Sequence, residues 1–402
     1  MKRLFLLAAL LSAFGAFAAD KAAQFYFVDI GHGNVTFVIS PSGETMLLDC
    51  GPTRAANRIY DFMQQNGIKK IDYLFITHFE DDHMGAAPAL SEMVPILNWV
   101  DHGESVTYGK SDEWWMGRRQ PWFHGGMAKM DDERFEKFKA ARAKGHHIVV
   151  KPGDRVPIKG LDAIVVTGGG KDITTPLKGA GQPNAACSQV QPRIEDDAED
   201  GQSLGLVINN RKFRFAYFGD MDWNPSYRLF CPNNLVGKVD VYLITHHGQS
   251  FPKSFGEKLR KPPNGPDPAM YYWSLSCCSQ AEVWGLHPRV AVLSMGAEGH
   301  KAGDDEPMKA VARSPGIEGL WMTEKIKGGG EAGHNPPDDF IANIGEPRTD
   351  KVPAIKMTAD PNGGFEFTNM RNGFTKDYPP RKVTSASARP NWYDRTWSRQ
   401  YR

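Results

Sequence analysis

The feature that most constrains this chain is a run of six residues, 78–83, that carries four side chains able to bind a metal ion. The run directly follows the apolar residues 71–76, which predict a buried strand. Alternate residues of an extended segment point the same way, so these side chains can converge where the strand ends. Two imidazoles with two carboxylates suit zinc, iron or manganese better than calcium. The four residues are His78, Glu80, Asp82 and His83.

The ends of two later apolar stretches supply the same types of ligand. Phe218-Gly219-Asp220 places a carboxylate after one of them, and Thr245-His246-His247-Gly248 places imidazoles after the other. Rigid strand ends that converge in this way can hold two metal ions about 3.5–4 Å apart. The sequence therefore predicts a dinuclear metal centre built from separate strands.

Composition predicts a globular protein, and the balance of charges excludes a strong overall electrostatic field. Of the 402 residues, 41% are hydrophobic and 24% charged, which is enough to bury a large core. The 48 Lys and Arg residues balance 47 Asp and Glu residues, for a formal net charge of +1. A nucleic acid or another anionic substrate must therefore be attracted by local groups.

The first eighteen residues are predicted to be a signal peptide. Lys2 and Arg3 precede the apolar run 4–17, and Ala16-Phe17-Ala18 offers the small residues that a signal peptidase recognises. The run is shorter than the ~20 residues that cross a bilayer. We expect cleavage near Ala19, no stable membrane anchor afterwards, and a periplasmic or secreted protein. An uncleaved N-terminal anchor is the alternative.

The order of the motifs resembles that of the metallo-β-lactamase superfamily. Within it, the chain is most similar to the metallo-β-lactamase-like domain of bacterial competence DNA-uptake channels and its stand-alone secreted relatives. The matching segments are Val28-Asp29-Ile30-Gly31-His32-Gly33-Asn34, Leu47-Leu48-Asp49-Cys50-Gly51, residues 78–83, Gly153-Asp154, Asp200-Gly201-Gln202-Ser203-Leu204, Phe218-Gly219-Asp220, His246-His247-Gly248 and residues 290–296. The resemblance implies an α/β fold, a four-layer αββα sandwich.

The resemblance also divides the chain. It implies a metallo-β-lactamase-like domain at residues 19–325, after the signal peptide at 1–18. Residues 326–402 would form a C-terminal extension. The extension is predicted to hold a small β-hairpin around Asn362-Gly363-Gly364 and to end in a basic, aromatic tail.

The same resemblance implies a role for each ligand. His78 and Glu80 would hold one metal ion, while Asp82 and His83 would hold the other. Asp220 would bridge the two ions. Zinc is the first expectation. Manganese and iron are the alternatives, because Glu80 stands where most hydrolases of the superfamily have histidine and a carboxylate hardens the site.

Two positions remain open within this implied site. His246 would complete the second metal site, with His247 as the competing choice. The histidine that many relatives place before the strand leading to Asp220 is missing, so Glu199 or Asp200 takes its place or the first ion keeps fewer ligands. Asp49 and Asp200 are otherwise expected to support the ligands from behind.

The activity implied by the resemblance is hydrolysis by water activated between two metal ions. Asp82 would orient the water, and His246 or His247 would lie near the leaving group. We favour phosphodiesters, in a nuclease or nucleotide phosphodiesterase, because the resemblance is to a DNA-processing domain. The alternatives are a β-lactam, lactone or thioester hydrolase, a metal-dependent binding module, and a diiron redox protein, since flavodiiron proteins share the His-x-Glu-x-Asp-His pattern. The sequence shows no flavodoxin-like segment, which favours hydrolysis.

Residues 101–130 lose all periodicity and are predicted to form a long loop or an insertion, which in a compact domain is often functional. Their tryptophans can stack on bases or line an apolar cleft, and their arginines can pair with phosphates. The substrate is thus expected to be a nucleic acid, a nucleotide or another small molecule. The candidates for the cleft are Trp114, Trp115, Arg118, Arg119, Trp122 and His124.

Five cysteines in an oxidising compartment permit disulfides, although the odd number leaves at least one thiol unpaired. We expect Cys50 to be a packed thiol. The adjacent Cys277 and Cys278 are expected to be buried as small apolar side chains rather than bonded.

Overall fold

A computed structural model describes residues 22–119, 126–262, 265–295, 303–326, 335–345 and 351–381, with only the backbone of Arg119. The predicted signal peptide, Trp122, His124 and the basic tail beyond Arg381 lie outside these residues, as does the side chain of Arg119. Among the helices in these ranges, none has the length and apolar character that a membrane crossing requires.

The described residues form eighteen strands. They are β1 (Ala23–Val28), β2 (Thr36–Ile39), β3 (Thr45–Leu48), β4 (Ile71–Phe75), β5 (Ile96–Asp101), β6 (His146–Val149), β7 (Arg155–Val156), β8 (Asp162–Gly168), β9 (Lys171–Asp172), β10 (Gly205–Asn210), β11 (Phe213–Tyr217), β12 (Val241–Leu243), β13 (Val290–Leu293), β14 (Gly319–Glu324), β15 (Ile341–Asn343), β16 (Ala354–Ala359), β17 (Phe365–Asn369) and β18 (Thr375–Tyr378).

Ten α-helices accompany the strands in the same ranges. They are α1 (Ala56–Gln65), α2 (Asp81–Met84), α3 (Ala87–Met93), α4 (Asp112–Arg119), α5 (Met127–Arg142), α6 (Trp223–Phe230), α7 (Lys253–Gly256), α8 (Pro268–Ser274), α9 (Gln280–Leu286) and α10 (Asp305–Ala312).

The strands form two large sheets. The first has the order β18-β17-β16-β1-β2-β3-β4-β5-β6, and the second has the order β15-β14-β13-β12-β11-β10-β8-β7, with β9 paired to β8. Strands β3 to β6 run parallel in the first sheet, and β11 to β15 run parallel in the second. Loops that follow parallel strands emerge at one edge, which is where the motif residues lie.

The two sheets pack face to face and carry helices on their outer faces. In β11, Phe213, Phe215 and Tyr217 point into the core between the sheets, whereas Ala216 points outward to a core shared with α6, α9 and α10. The first sheet alternates in the same way against α1, α3 and α5. This period of two residues is what a strand buried on both faces requires. The predicted αββα sandwich is confirmed.

The predicted C-terminal hairpin forms as β16 and β17, with Asn362-Gly363-Gly364 in the turn region between them. It is more closely integrated than an appended hairpin, because β16 pairs antiparallel with β1 and places Phe25 opposite Met357. Met357 enters the core between the sheets together with Ile355. The hairpin therefore extends the first sheet of the sandwich.

The prediction of a long loop over residues 101–130 is wrong where two helices occupy this range. Residues Asp112–Arg119 form α4, and α5 begins at Met127. Trp115 is 4% exposed on α4, where its indole supplies apolar contact that the loop prediction overlooked. Gly117 and the charged residues around it hide the helical period in the sequence.

The cysteines form two disulfides. Cys187 bonds to Cys231, and Cys277 bonds to Cys278, so the prediction that the adjacent pair is unbonded is wrong, although both are buried as expected. Cys50 is a buried free thiol, as predicted.

Candidate metal centre

The ends of β4 and β11 approach each other closely at the edge where the motifs lie. Gly219 has a φ of +54°, and a Cβ added there would lie 2.6 Å from Cβ of Thr77, so only glycine fits. The amide of Leu204 donates to the carbonyl of Thr77 at 2.8 Å, and the amide of His246 donates to that of Gly219 at 2.9 Å. These contacts bring ligands from both sheets into one site.

The structure brings seven of these side chains together in two clusters. The ligand atoms of each cluster lie within 4.8 Å of one another. Two ligands of one ion, each about 2.1 Å from it, can be no more than about 4.2 Å apart, so small shifts would complete both sites. Cluster A consists of Asp82, His83, Asp220 and His247, and cluster B consists of His78, Glu80 and Asp200.

Two imidazoles of cluster A are oriented through their Nδ1 atoms. His83 Nδ1 lies 2.6 Å from Oδ2 of Asp49, and His247 Nδ1 lies 3.0 Å from the carbonyl oxygen of Ser294. Their Nε2 atoms point at carboxylates, with His83 Nε2 3.2 Å from Asp220 Oδ1 and His247 Nε2 3.5 Å from Asp220 Oδ2. Metal-binding histidines are held in the same way by an acceptor behind Nδ1.

His78 in cluster B has the same orientation. The Thr77 hydroxyl donates to Asp49 Oδ2 at 2.8 Å, so its oxygen accepts from His78 Nδ1 at 3.0 Å. Nε2 of His78 is buried, forms no hydrogen bond within the described residues, and lies 3.6 Å from Asp200 Oδ1. Burial, together with the neighbouring His83, lowers the pKa of His78 to about 3. A neutral imidazole with a free lone pair faces the carboxylates, which is what a metal ion requires.

Asp49 lies behind the ligands, where the sequence predicted it. Its Oδ1 accepts from the Thr77 amide at 2.8 Å, and its Oδ2 accepts from the Thr77 hydroxyl, from His83 and from the hydroxyl of Tyr217. One fully buried carboxylate thus fixes both the end of β4 and the tautomer of a ligand.

Asp200 belongs to cluster B itself, beside His78 and Glu80, rather than behind it. Glu199 does not compete for that place. Its carboxylate accepts from the amide of Phe79 at 3.1 Å and from Ser105 Oγ at 2.7 Å, and it lies 3.2 Å from His102 Nε2. Burial would raise the pKa of Glu199, but His102 and Ser105 lower it to about 2. Glu199 is therefore ionised, and its hydrogen bonds connect the loops that carry these donors.

The structure separates the two adjacent histidines. His247 is in cluster A, whereas His246 groups with Asp200 and Asp222 and has Nε2 3.6 Å from Asp220 Oδ2. Both histidines have positive φ, 48° and 50°, a strained backbone conformation that turns the rings in different directions. The geometry favours the competing choice, His247, as the ligand beside Asp82 and His83.

Two residues of the site escaped the sequence analysis. Asp222 joins Asp200 and His246, and its spacing from Asp220 repeats the alternate pattern of residues 78–83 that could have revealed it. His32 lies between two glycines of the first motif and has Nε2 2.9 Å from Asp82 Oδ2. The position of a histidine between two turn glycines is the sequence signal that could have revealed His32.

Charges in the two clusters are strongly coupled. Burial would raise the pKa of Asp220, but His83, His247 and His246 hold it well below its usual range. Burial would lower the pKa of His83, but Asp220, Asp49 and Asp82 hold it well above. A bound cation would replace the proton of His83, so metal uptake should release protons.

The clusters open into a cavity of about 340 Å³. Its apolar wall includes Trp115 and Phe251, and the cations in its lining, besides histidines, are Arg54 and Arg134. Of the other candidates, Arg118 donates to Asp197 Oδ1 at 2.7 Å and lies 4.1 Å from the ring centre of Trp114. Arg118 and Trp114 do not line the cavity.

We expect the two adjacent histidines to differ in metal binding. His247→Ala should lose about one of two bound metal equivalents, or at least tenfold in affinity, because it removes a ligand of cluster A. His246→Ala is the matched variant, with the same volume change and similar backbone strain, and should lose less affinity because His246 lies outside clusters A and B. Metal analysis after dialysis and chelator competition measure the difference. The reverse ranking would contradict the assignment.

A sandwich of two sheets with helices outside and His and Asp clusters at the strand ends defines an α/β protein with side chains able to bind a metal ion. The sequence model of the metallo-beta-lactamase superfamily matches residues 28–181, so this part of the chain is similar to that superfamily. No curated protein matches the chain. The closer resemblance to competence domains stays a prediction.

Solved structures of low sequence identity are similar to this chain. CmlA, a diiron beta-hydroxylase from Streptomyces venezuelae, is 13% identical over 73% of this chain and 49% of its own, with a TM-score of 0.39. A metallo-beta-lactamase from Cronobacter sakazakii is 10% identical over 50% of this chain and 60% of its own, with a TM-score of 0.27. The chain therefore spans about half the length of CmlA.

Proposed function

We propose that this chain is a metal-dependent hydrolase that cleaves phosphodiesters at a dinuclear centre. The observation that carries the proposal is the pair of clusters A and B, which face one cavity with their imidazoles already oriented as ligands. Two divalent ions bound there would supply an activated water and stabilise the negative charge that develops on the substrate.

We further propose that manganese or iron fills the site in preference to zinc. Clusters A and B together offer three imidazoles and four carboxylates, one more carboxylate than expected because Asp200 takes part. Hard oxygen ligands favour manganese and iron relative to softer donor sets.

Support for an anionic substrate comes from the two arginines of the cavity. Arg54 is exposed and has no carboxylate partner among the described residues, and Arg134 Nε lies 3.5 Å from Asp81 Oδ1. Both can bind a phosphate oxygen. Trp115 and Phe251 offer flat faces on which a base or another ring of the substrate can stack.

We infer that Asp131 is the candidate to give a proton to the leaving oxygen. It lines the cavity, and its Oδ2 accepts from Thr107 Oγ1 at 2.8 Å. Burial raises the pKa of Asp131 to about 7, so near neutral pH much of it is protonated in the metal-free protein. A carboxylic acid with such a pKa can protonate a leaving alkoxide or phenoxide.

The proposal is tested with bis(p-nitrophenyl) phosphate, single-stranded DNA and nitrocefin, each with and without chelator, on protein loaded with manganese, iron or zinc. We expect chelator-sensitive cleavage of the two phosphodiesters. Arg54→Gln and Arg134→Gln should each raise KM for them about tenfold, or about 1.4 kcal/mol, with little change in kcat. Arg155→Gln, an exposed arginine away from the cavity, is the control. Cleavage of nitrocefin alone would replace the phosphodiester by a lactam or related ester.

A diiron redox protein is the second candidate, because the carboxylate-rich set that favours manganese also suits iron. Iron-loaded protein is then expected to show an optical band that changes with a reductant, without cleavage of any ester in the panel. Ester cleavage by colourless manganese or zinc protein would exclude this candidate.

We also propose that the chain is exported. The disulfide between Cys187 and Cys231 supports this, because such bonds persist mainly in oxidising compartments. Mass spectrometry of the exported chain should give an N-terminus near Ala19, and retention of residues 1–18 would contradict cleavage.

A further inference from the structure

A second cavity lies next to the metal cavity and has the opposite electrostatic character. Its volume is about 580 Å³, within the range of small-molecule sites, and Phe251 lines both cavities. Its lining holds four cations and a single acid, Glu306, in a chain that is nearly neutral overall. The four cations are Arg193, Lys253, Lys309 and Arg313.

Arg193 is held between two indoles. Its Cζ lies 3.2 Å from the ring centre of Trp223 and 3.9 Å from that of Trp273, and Nη1 donates to the carbonyl of Trp273. Nε is buried and has no hydrogen-bond partner within the described ranges, and no carboxylate there pairs with the guanidinium. Burial lowers the pKa of Arg193 to about 9. A charge withdrawn from water without a counter-ion is costly unless a ligand supplies one.

Lys253 brings a second positive charge to the same indole. Its Nζ lies 4.0 Å from the ring centre of Trp273, and no carboxylate in the described part of the chain pairs with it. The acid of the lining is already engaged, because Glu306 Oε1 lies 3.5 Å from Nζ of Lys309. The positive charges of Arg193 and Lys253 are therefore left without a local acid.

We propose that this cavity, here called the Arg193 pocket, binds a small molecule through a carboxylate or phosphate group held by Arg193 and Lys253. The planar guanidinium is fixed by the indoles, so little side-chain freedom is lost when an oxyanion binds. Val190 and Trp284, which also line the cavity, provide contact for the apolar part of the ligand. The site is independent of the proposed hydrolysis, since it uses none of the residues of clusters A and B.

The probes are inorganic phosphate and acetate, titrated into the full chain as purified and after metal removal, with sodium chloride as the ionic-strength control. Calorimetry and tryptophan fluorescence should both show saturable binding that persists without metal. The anion that binds more tightly identifies the group. Arg193→Gln should weaken binding at least tenfold, and Lys253→Gln about threefold to tenfold. Lys258→Gln, an exposed lysine outside the pocket, should leave binding unchanged.

Two results would overturn the proposal that the Arg193 pocket binds an anionic group. One is the absence of saturable binding of either anion, and the other is unchanged affinity in the Lys253 variant. Lys253 is exposed, so its variant is expected to fold and can decide the question even where Arg193→Gln disturbs the packing of Trp223 and Trp273. The anion titration does not depend on ester hydrolysis, so a failure of the proposed hydrolysis would leave this test of the Arg193 pocket intact.

Discussion

Asp220→Asn is expected to lower kcat/KM by roughly a thousandfold and to reduce the bound metal from two equivalents to one or none. Asp220 faces an imidazole with each of its carboxylate oxygens, with Oδ1 3.2 Å from His83 Nε2 and Oδ2 3.5 Å from His247 Nε2. The amide keeps the size of the side chain but removes the negative charge and one ligand oxygen. Steady-state kinetics and metal analysis measure both effects.

Asp240→Asn provides the matched control for this variant. Asp240 is also a buried carboxylate and immediately precedes β12, at the opposite end of that strand from His246 and His247. It accepts from the amide of Arg214 at 3.0 Å and has no contact with clusters A and B. We expect it to keep activity within a few-fold. Two metal equivalents and near-normal activity in Asp220→Asn would refute the shared role of Asp220.

Much of the fold could be predicted because the strands leave strong local signals. The apolar stretches at 71–76 and 213–218 coincide with β4 and β11, and each is followed at once by its ligands. Parallel strands bring their ends to one edge, so local patterns in the chain translate directly into proximity in space. This is why the residue types and approximate place of the site could be predicted.

The ligand assignment within the site could not be completed from the sequence. Which of His246 and His247 joins cluster A depends on two consecutive residues with positive φ, a conformation for which histidine gives only a weak preference. Whether Glu199 or Asp200 faces His78 depends on loop contacts from residues almost a hundred positions away, such as Ser105. Such choices are made by tertiary contacts rather than by local pattern.

Several helices escaped prediction for a related reason. Helices α8 and α9 have only seven residues each, and α8 buries Tyr271 and Tyr272 on adjacent positions, so no period of 3.6 residues is visible. Their stability comes from packing: α9 contributes Val283 and Leu286 to the core outside the second sheet. Short helices of this kind depend on tertiary contacts more than on propensity.

The second large effect is expected for Asp49→Asn, which should weaken metal binding about 10- to 100-fold although it replaces no metal ligand. Oδ2 of Asp49 accepts from three donors, on His83, Thr77 and Tyr217. In asparagine, the NH2 group at this position is itself a donor, so it would face three other donors instead of accepting from them. The two hydroxyls can rotate to accept, but His83 can accept only by moving its proton to Nε2, the atom that faces Asp220. The variant thus blocks a ligand through its tautomer.

Asp101→Asn separates this effect from a general loss of stability. Asp101 is equally buried and accepts from His147 Nε2 at 2.8 Å and from Arg142 Nη1 at 2.9 Å, but neither partner belongs to clusters A and B. Both variants should lower the free energy of unfolding by about 1–3 kcal/mol, because each leaves buried donors poorly paired. Only Asp49→Asn should also lose affinity in a chelator competition with folded protein. Equal metal affinity in the two variants would mean that Asp49 supports the loop alone and does not set the tautomer of His83.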